Sequence, residues 1–450
     1  MKKYLVSIIT ILLIMSFGIV VGFHLTSKKT ENLIQSSMDD TVNQNNELSN
    51  NTADIVVVLP NKNSEISEED YIKNSYNGIF ELPLNGTTGF ASVSLHLYKQ
   101  IPSNNLSNEV SNEISNNVSN ELSNGGTVEV SEETLQKAID EALAKALNES
   151  LKEITITTLK PGQAFKILKE SSDWFYVELS NSTKGWLESK YCLVNLPDLI
   201  PSIIYDDTNS YKSIFRSSGY ALENITGNAL YDAKEYNNRL EQEQYLMPLL
   251  YPMVKKIAQV QADALKNNDC LKIYETFRPY EVQMKVSASL TKLMESNEEV
   301  KLGITTTPWD KTWFIATQLS NHQRGVALDV SLAKVKDKEY KYCGSYAYFI
   351  VSKYEEYEMP TQMHELSSAA ARFTSPVSSK SKTAWKSAKL APTMTSASIK
   401  LQNYFTSHDL IPLASEWWHF DDLDAREMTK NNSSNGRYYL TECLSEVPSK

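Results

Sequence analysis

The N-terminal segment constrains this chain most, because its composition is that of a membrane helix. Residues 4–25 carry no formal charge and are dominated by aliphatic side chains. About 20 such residues span a bilayer as a helix, whereas the apolar part of a signal peptide is shorter and ends at a small-residue cleavage site, which is not visible here. The segment predicts an uncleaved membrane anchor over residues 1–28, with a removed signal peptide as the alternative.

Two polar stretches follow the apolar segment. Residues 29–84 are rich in Asn, Ser and acidic side chains and predict a solvated tether. Residues 106–122 repeat every four positions, with an aliphatic residue followed by Ser-Asn. Ser and Asn are poor helix formers, so we interpret this repeat as a flexible or partly helical spacer; a self-associating helical stalk is the alternative. An amphipathic helix is predicted next, over residues 131–154.

Charge and cysteine usage exclude several classes of protein. Against 55 acidic residues stand 44 Lys and Arg, a net charge of −11, which argues against a nucleic-acid partner. The four cysteines form no CxxC pair, so neither a zinc knuckle nor a thioredoxin-type site is predicted, and no disulfide is assigned.

Two segments beside the repeat predict a small β-barrel. Residues 89–99 alternate apolar and polar side chains, and residues 155–194 contain short strands separated by turn sequences. The Leu-x-x-Gly turn, the Asp-Trp strand and the Gly-Trp-Leu strand resemble the bacterial SH3-like wall-binding domain. That resemblance implies a domain over residues 85–196, interrupted by an insertion at about 101–153, and peptidoglycan as its partner. Trp174 and Trp186 are either wall contacts or barrel core.

Residues 195–201 contain two prolines and predict a short, stiff linker. The remaining chain, residues 202–450, is long enough for one further domain with its own core. Apolar spacing within it predicts helices over residues 248–265 and 287–294, and strands over 271–276 and 327–332.

The chemistry-bearing residues of this domain fall into two short patterns. Residues 320–329 contain His322 and Asp329, and residues 416–419 contain Glu416 and His419. Two imidazoles and a carboxylate leave the fourth position of a tetrahedral zinc ion open for water, as catalytic sites require. Glu416 is then placed to accept a proton from that water. Because an uninterrupted strand would point His322 and Asp329 to opposite faces, we expect a turn or bulge at Gly325.

These patterns match a known family. Residues 320–329 fit the Ser-x-His-x-x-Gly-x-Ala-x-Asp motif of the D-Ala-D-Ala dipeptidase and carboxypeptidase zinc metallopeptidases, and residues 416–419 fit their Glu-x-x-His motif. Residues 274–279 resemble the Gly-Tyr-Arg-Pro strand end of the dipeptidase branch known for vancomycin resistance, with Thr276 in place of the Gly and Phe277 in place of the Tyr. The resemblance implies one zinc ion held by His322, Asp329 and His419. It also implies Glu416 as the general base and acid, Arg278 as the group that stabilises the oxyanion, and Ser320 as a residue near the substrate.

The same resemblance implies an α+β fold, with an antiparallel sheet and flanking helices carrying the metal. The expected function is zinc-dependent hydrolysis of D-Ala-D-Ala in cell-wall peptide metabolism. A D,D-carboxypeptidase that trims peptidoglycan stem peptides and a non-catalytic wall-binding protein are the alternatives. A wall-binding domain has no ligand in the cytoplasm, so we expect a single-pass membrane protein with the catalytic domain outside the cell, or a secreted one.

One departure from the family concerns the substrate's amino group. The dipeptidase branch has an Asp that holds the substrate ammonium, and the aligned residue here is His364, with a carboxylate one position later at Glu365. If Glu365 takes over that contact, a free dipeptide remains a substrate. If it points away, longer peptides are favoured.

Overall fold

The computed structural model describes residues 78–102, 132–206, 214–223, 225 and 234–449. The predicted anchor, most of the tether and the four-residue repeat lie outside these residues. The described part is a mixed α+β structure with antiparallel sheets, which confirms the predicted fold class. Within it, no helix combines the length and the apolar composition needed to cross a membrane.

An eight-stranded sheet forms the N-terminal part of the described structure. In spatial order its strands run β13-β7-β1-β4-β5-β6-β2-β3. Their bounds are β1 (Thr88–Ala91), β2 (Leu95–Tyr98), β3 (Thr155–Leu159), β4 (Ala164–Ser171), β5 (Trp174–Glu178), β6 (Lys184–Glu188), β7 (Cys192–Asn195) and β13 (Pro248–Leu250).

The single strand predicted over residues 89–99 is two strands in the structure. Ser92 interrupts it: both its N–H and its hydroxyl donate to the carbonyl of Tyr191. The chain therefore turns, so that β1 pairs with β4 and β7 while β2 pairs with β3 and β6. Because β2 and β3 are antiparallel neighbours, the chain that connects them leaves the sheet and returns to it at the same end of this strand pair. That connection contains helix α1 (Glu132–Ile154).

The two tryptophans of the N-terminal sheet are not part of its core. Side chains alternate along β5, so that Phe175 and Val177 are fully buried while Trp174 points to the other face and is half-buried. Trp186 is half-buried in the same way, and its neighbour Leu187 fills the core. Of the two alternatives for these tryptophans, barrel core is therefore wrong for both, because strand periodicity points their side chains away from the core.

A six-stranded sheet forms the centre of the C-terminal part. Its order is β17-β18-β15-β14-β8, with β16 paired to β15, and all pairs except β8–β14 are antiparallel. Its strands are β8 (Ile204–Tyr205), β14 (Asp269–Glu275), β15 (Ala327–Cys343), β16 (Tyr346–Glu356), β17 (Ile411–Pro412) and β18 (His419–Asp421). Two small hairpins complete the strands: β9 (Arg216–Ser217) with β10 (Tyr220–Ala221), and β11 (Lys234–Asn237) with β12 (Gln242–Tyr245).

Seven further helices accompany this sheet among the described residues. They are α2 (Tyr251–Lys266), α3 (Tyr280–Ser296), α4 (Glu298–Thr305), α5 (Lys311–Phe314), α6 (Asn321–Arg324), α7 (Ser396–Thr406) and α8 (Leu423–Met428). The helix predicted from residue 248 begins only at Tyr251, because residues 248–250 form β13 on the edge of the eight-stranded sheet.

The predicted linker at residues 195–201 is buried, not exposed. Asp198 is inaccessible to solvent and accepts hydrogen bonds from Thr88 N, Asn237 Nδ2 and Ser445 Oγ. A buried carboxylate has to be satisfied by hydrogen bonds, so these contacts make the segment part of the protein interior and not a spacer between domains. The hydrophobic cores of the two sheets are also continuous, with the rings of Phe175 and Tyr251 4.6 Å apart. The two sheets therefore share one interior.

Candidate metal centre

Three neighbouring strands align three ionisable side chains in one row. Asp329 on β15 lies opposite Glu275 on β14 and opposite His419 on β18. Directly opposite residues point to the same face of a sheet with their Cβ atoms about 4.5–5.5 Å apart. The sheet register thus brings together residues that are separated by up to 144 positions in the sequence.

His322 reaches this row from helix α6 rather than from a strand. Gly325 ends the helix in the left-handed conformation, with φ of 71°, and β15 begins two residues later. A Cβ at Gly325 would lie 2.3 Å from Leu193 Cδ2, so both the conformation and the space require glycine. The expected change of direction at Gly325 is therefore present, as a helix end.

The side chains of His322, Asp329 and His419 converge. His322 Nε2 lies 3.2 Å from His419 Nδ1 and 3.4 Å from Asp329 Oδ2. His419 Nδ1 lies 3.0 Å from Asp329 Oδ1. Ligand atoms of a tetrahedral zinc site lie about 3.3 Å apart, since the metal–ligand bonds are about 2.0–2.1 Å long. These three buried groups can therefore hold a metal ion.

In each imidazole, the ring nitrogen that points away from the converging groups, here called the outer nitrogen, donates a hydrogen bond. His322 Nδ1 donates to the carbonyl of Thr276 at 2.7 Å, and His419 Nε2 donates to Asp421 Oδ1 at 3.0 Å. When His322 Nδ1 and His419 Nε2 carry the ring protons, the lone pairs of His322 Nε2 and His419 Nδ1 face each other across 3.2 Å. Such an arrangement needs a positive charge between the nitrogens, either a proton or a metal ion, and donors of this kind on the outer nitrogens are typical of metal-binding histidines.

The electrostatics of the cluster also favour a bound cation. Burial by itself would raise the pKa of Asp329, but the imidazoles of His322, His364 and His419 hold it well below its usual range. Burial would likewise lower the pKa of His419, whereas the carboxylates of Asp421 and Asp329 raise it well above its usual range. The carboxylates of Asp329 and Asp421 thus stabilise a positive charge at His419, carried by a proton or by a bound metal ion.

Glu416 lies beside the three converging groups without belonging to them. Its Oε2 is 3.6 Å from His419 Nδ1, and its side chain lines a cavity of about 340 Å³ that also exposes His322, Asp329 and His419. Burial raises the pKa of Glu416 to about 8, and the charge of Asp329 adds to that effect. In its ionised form, a carboxyl at this position can accept a proton inside the cavity.

Arg278 lines the same cavity and is held by acceptors on three sides. Its guanidinium has five N–H donors: two donate to Glu275, one to Gln283 Oε1 and one to Asp329 Oδ2. One hydrogen on Nη1 is left over from these four contacts. Glu275, Asp329 and His364 form a second group with metal-ligand spacing, but the guanidinium already contacts both carboxylates there.

Two of the three predicted substrate-binding residues line the cavity of the metal cluster, and the third does not. His364 lines the cavity, and its Nε2 donates to Asp329 Oδ2 at 3.0 Å while its buried Nδ1 has no hydrogen-bond partner among the described residues. Ser320 also lines it, and its backbone and side chain both donate to Gln323 Oε1. Glu365 points away into a neighbouring cavity.

Both carboxylate oxygens of Glu365 are used by its own surroundings. They accept hydrogen bonds from Ser218 N, Gly219 N and Ser367 Oγ. Glu365 therefore stabilises the loop at β9 and β10 instead of facing the metal cluster. His364, with a left-handed φ of 59°, takes the place beside Asp329.

Arg372 holds the segment that carries Glu416 and His419. It is fully buried, and its guanidinium donates to the carbonyls of residues 413, 416, 417 and 419 and to Gln402 Oε1. It also lies over the ring of Phe420, 4.4 Å from the centroid. Burial lowers the pKa of this guanidinium. The carbonyl dipoles compensate for its desolvation and fix the backbone on both sides of Glu416.

Sequence patterns did not predict Glu275, Asp421 or Arg372 as parts of the site. Asp421 lies two residues after His419, the spacing that places two strand residues on one face, so this signal was present in the sequence. For Arg372 no local pattern exists, because the hydrogen-bond partners of its guanidinium lie 30 to 47 residues later. No protein-family model and no curated protein matches this chain.

Proposed function

We propose that this protein is a zinc-dependent peptidase that cleaves D-Ala-D-Ala termini in cell-wall peptides. The observation that carries the proposal is the convergence of His322 Nε2, His419 Nδ1 and Asp329 in a cavity lined also by Glu416 and Arg278. The two sequence motifs with their family resemblance support the same reading. When bound, zinc supplies a Lewis acid that lowers the pKa of water to about 7 and polarises a carbonyl.

We assign proton transfer, oxyanion stabilisation and the orientation of the imidazoles to residues of the protein itself. Glu416 lies 3.6 Å from His419 Nδ1 on the cavity wall; in its ionised form it accepts the proton of the attacking water and passes it to the leaving amine. Arg278 keeps a positive charge at the cavity wall, and its remaining Nη1 hydrogen is available to an oxyanion. Thr276 and Asp421 hold the tautomers of the two imidazoles.

The cavity favours peptides longer than a free dipeptide. Its carboxylates are Asp329, Glu416 and Asp421; Asp329 and Asp421 contact the imidazoles, and Glu416 is reserved for proton transfer. Glu365 is turned away, so no further carboxylate among the lining residues meets a substrate ammonium. A substrate whose amino group is acylated, as in a stem peptide, avoids burying an unpaired charge. We therefore favour D,D-carboxypeptidase activity over dipeptidase activity.

The test is one assay with two substrates, D-Ala-D-Ala and a stem pentapeptide. Zinc-loaded wild type is expected to release D-alanine from the pentapeptide faster than from the dipeptide. Glu416→Ala is expected to lose about 10²–10⁴-fold in rate with its fold intact, and metal-stripped protein is expected to be inactive. Unchanged hydrolysis by Glu416→Ala would overturn the mechanism, and faster dipeptide cleavage would return the assignment to a dipeptidase.

Wall binding by the eight-stranded sheet is part of the proposal. On its outer face the rings of Tyr176 and Trp186 lie 5.1 Å apart, and Lys169 Nζ lies 5.3 and 5.2 Å from their centroids. A half-exposed aromatic pair with a cation is suited to a glycopeptide surface. Trp186→Ala should reduce sedimentation with purified peptidoglycan, whereas Trp385→Ala, a half-buried tryptophan outside this sheet, should not. Equal sedimentation of both variants would refute this assignment.

The same proposal places the catalytic part outside the cell, held by residues 1–28 or secreted. An exported enzyme meets wall peptides but not the cytoplasmic pool of free D-Ala-D-Ala, which agrees with the preference for longer peptides. Protease added to intact cells should then release the catalytic part. Survival of the full-length chain under that treatment would contradict the topology.

A further inference from the structure

Two further cavities adjoin each other on the far side of the chain segments that line the cavity of the metal cluster. Their volumes are about 530 and 420 Å³, and they share Arg216, Thr361 and Gln362 as lining residues. We call the two together the rear groove. Each volume falls within the range of small-molecule sites, about 300–1,000 Å³.

Three chain segments separate the rear groove from the metal cluster. In each segment, neighbouring side chains alternate between the two sides of this wall. Phe215, His364 and Trp418 line the cavity of the metal cluster, whereas Arg216, Glu365 and Trp417 line the rear groove. A ligand in the rear groove is therefore held apart from the metal cluster and binds without being cleaved.

Arg216 lies where the two halves of the rear groove meet, and its guanidinium is free for a ligand. Its Nε donates to the carbonyl of Ile214 at 3.4 Å, and neither Nη atom has a hydrogen-bond or ion-pair partner among the described residues. The carboxylates that line the groove are engaged by other donors; they are Asp206, Glu299, Glu356 and Glu365. A half-buried guanidinium without a counter-ion matches an external carboxylate, because its planar fork can donate to both oxygens.

The two halves of the rear groove differ in their chemistry. One half carries hydroxyl and amide side chains, among them Ser218, Gln362 and Ser368. The other half is lined by aromatic rings, those of Tyr274, Tyr357 and Trp417. A sugar ring has hydroxyl groups for the first half and an apolar face for the second.

The backbone of the wall argues against a peptide as the ligand. An extended peptide binds through free backbone N–H and C=O groups. Here these groups pair with each other, since Arg216 N donates to the carbonyl of His364 at 3.2 Å and Leu366 N donates to the carbonyl of Arg216 at 2.8 Å. Recognition by side chains, as a saccharide requires, is the mode that the groove offers.

We propose that the rear groove binds a saccharide that carries a carboxylate, with Arg216 on the carboxylate and the aromatic half against a sugar ring. The inference goes beyond the proposed peptidase activity and takes from it only the location at the cell wall. Peptidoglycan glycan presents such a group, the lactyl carboxylate of N-acetylmuramic acid, wherever the stem peptide has been removed. The groove thus holds the protein on peptide-free glycan, beside stem peptides that are still attached.

The test is titration calorimetry of the zinc-loaded full chain with the disaccharide N-acetylglucosaminyl-N-acetylmuramic acid and with its lactyl carboxamide. Wild type should bind the acid at least 10-fold more tightly than the amide. Arg216→Gln should lower the affinity for the acid at least 10-fold and leave that for the amide unchanged. Arg216→Lys, which keeps the charge without the planar fork, should lie between the two. Arg437→Gln, which removes an exposed arginine elsewhere, should bind like the wild type.

Several outcomes would overturn the inference. Equal affinity of the wild type for acid and amide would do so, as would unchanged binding of the acid by Arg216→Gln. Loss of acid binding in Trp186→Ala or Arg426→Gln, with Arg216→Gln unaffected, would place the saccharide on the eight-stranded sheet or in the cavity of the metal cluster instead. Release of D-alanine from the pentapeptide tests the peptidase proposal separately, so that either proposal can fail alone.

Discussion

His419 and Asp421 lie two residues apart on β18, and the imidazole Nε2 donates to the carboxylate at 3.0 Å. This contact turns Nδ1 inward, to within 3.0 Å of Asp329. Asp421 thus sets both the tautomer and the direction of a metal ligand without lying among the three converging groups itself. A strand spacing of two residues is enough to build the pair.

The first prediction concerns Asp421→Asn. The amide keeps an acceptor for His419 but loses the negative charge, so zinc affinity should fall about 10–100-fold, as for other outer-sphere partners of metal-binding histidines. Competition with a chromophoric chelator measures this affinity. Asp337→Asn, on the exposed part of β15, is the control and should bind zinc like the wild type. Equal affinities for the wild type and Asp421→Asn would show that Asp421 does not support the metal.

The second prediction concerns Arg372→Met. The substitution fills a similar volume but leaves several buried carbonyls of residues 413–419 without a donor, at about 1–3 kcal/mol for each unsatisfied group. We expect a loss of about 2–4 kcal/mol in the free energy of unfolding, measured in urea, together with weaker zinc binding. Arg437→Met removes an exposed arginine over Tyr280 and should cost about 0.5 kcal/mol or less. A neutral Arg372→Met would contradict the positioning role.

The third prediction is a pH dependence that arises away from the metal cluster. Burial raises the pKa of Glu81 to about 7, although contacts with Ser202 act in the opposite direction. A carboxyl whose folded pKa exceeds its unfolded value stabilises the fold fully at low pH. That contribution is lost as pH rises from about 4.5 to 7, and it amounts to no more than about 3 kcal/mol.

Glu81→Gln removes this titration. The variant should therefore show a smaller decrease in unfolding free energy between pH 5 and pH 8 than the wild type, with similar values for both proteins at pH 5. Urea unfolding at the two pH values measures the difference. The contrary result is an unfolding free energy that rises between pH 5 and pH 8 by the same amount in the wild type and in Glu81→Gln. It would show that Glu81 titrates at its usual value.

The sequence predicted the local parts of the fold well and the connections between them poorly. The strands around residues 271–276 and 327–332 and the helix at α1 follow from side-chain periodicity, which is a local property, whereas the α+β class was expected from the family resemblance. The apparent linker at residues 195–201 is buried because Asp198 meets Thr88 and Ser445, contacts that no local pattern contains. The same holds for β13, whose pairing with β7 overrides the helical spacing of residues 248–250.

In the candidate site, too, local motifs were predicted from the sequence and tertiary contacts were not. His322, Asp329, Glu416 and His419 were predicted as a set from two short motifs. The sheet register pairs Asp329 with His419, while His322 joins them from α6 and Glu416 from the segment before β18. Whether Glu365 or His364 faces the cavity depends on the hydrogen bonds of Glu365 to the β9–β10 loop, which are tertiary contacts. The unpaired guanidinium of Arg216 is equally invisible to sequence patterns, because a missing partner is defined only in three dimensions.

The most direct test of the account is reconstitution of metal-stripped protein with zinc, following D-alanine release from N-acetyl-Lys-D-Ala-D-Ala. Activity should rise linearly and saturate at about one zinc per chain, as expected for a single three-ligand site. His322→Ala, which removes one inner nitrogen, should neither bind zinc at this site nor release D-alanine. Full activity in chelator-treated protein, or a zinc-loaded wild type that releases no D-alanine, would contradict the account.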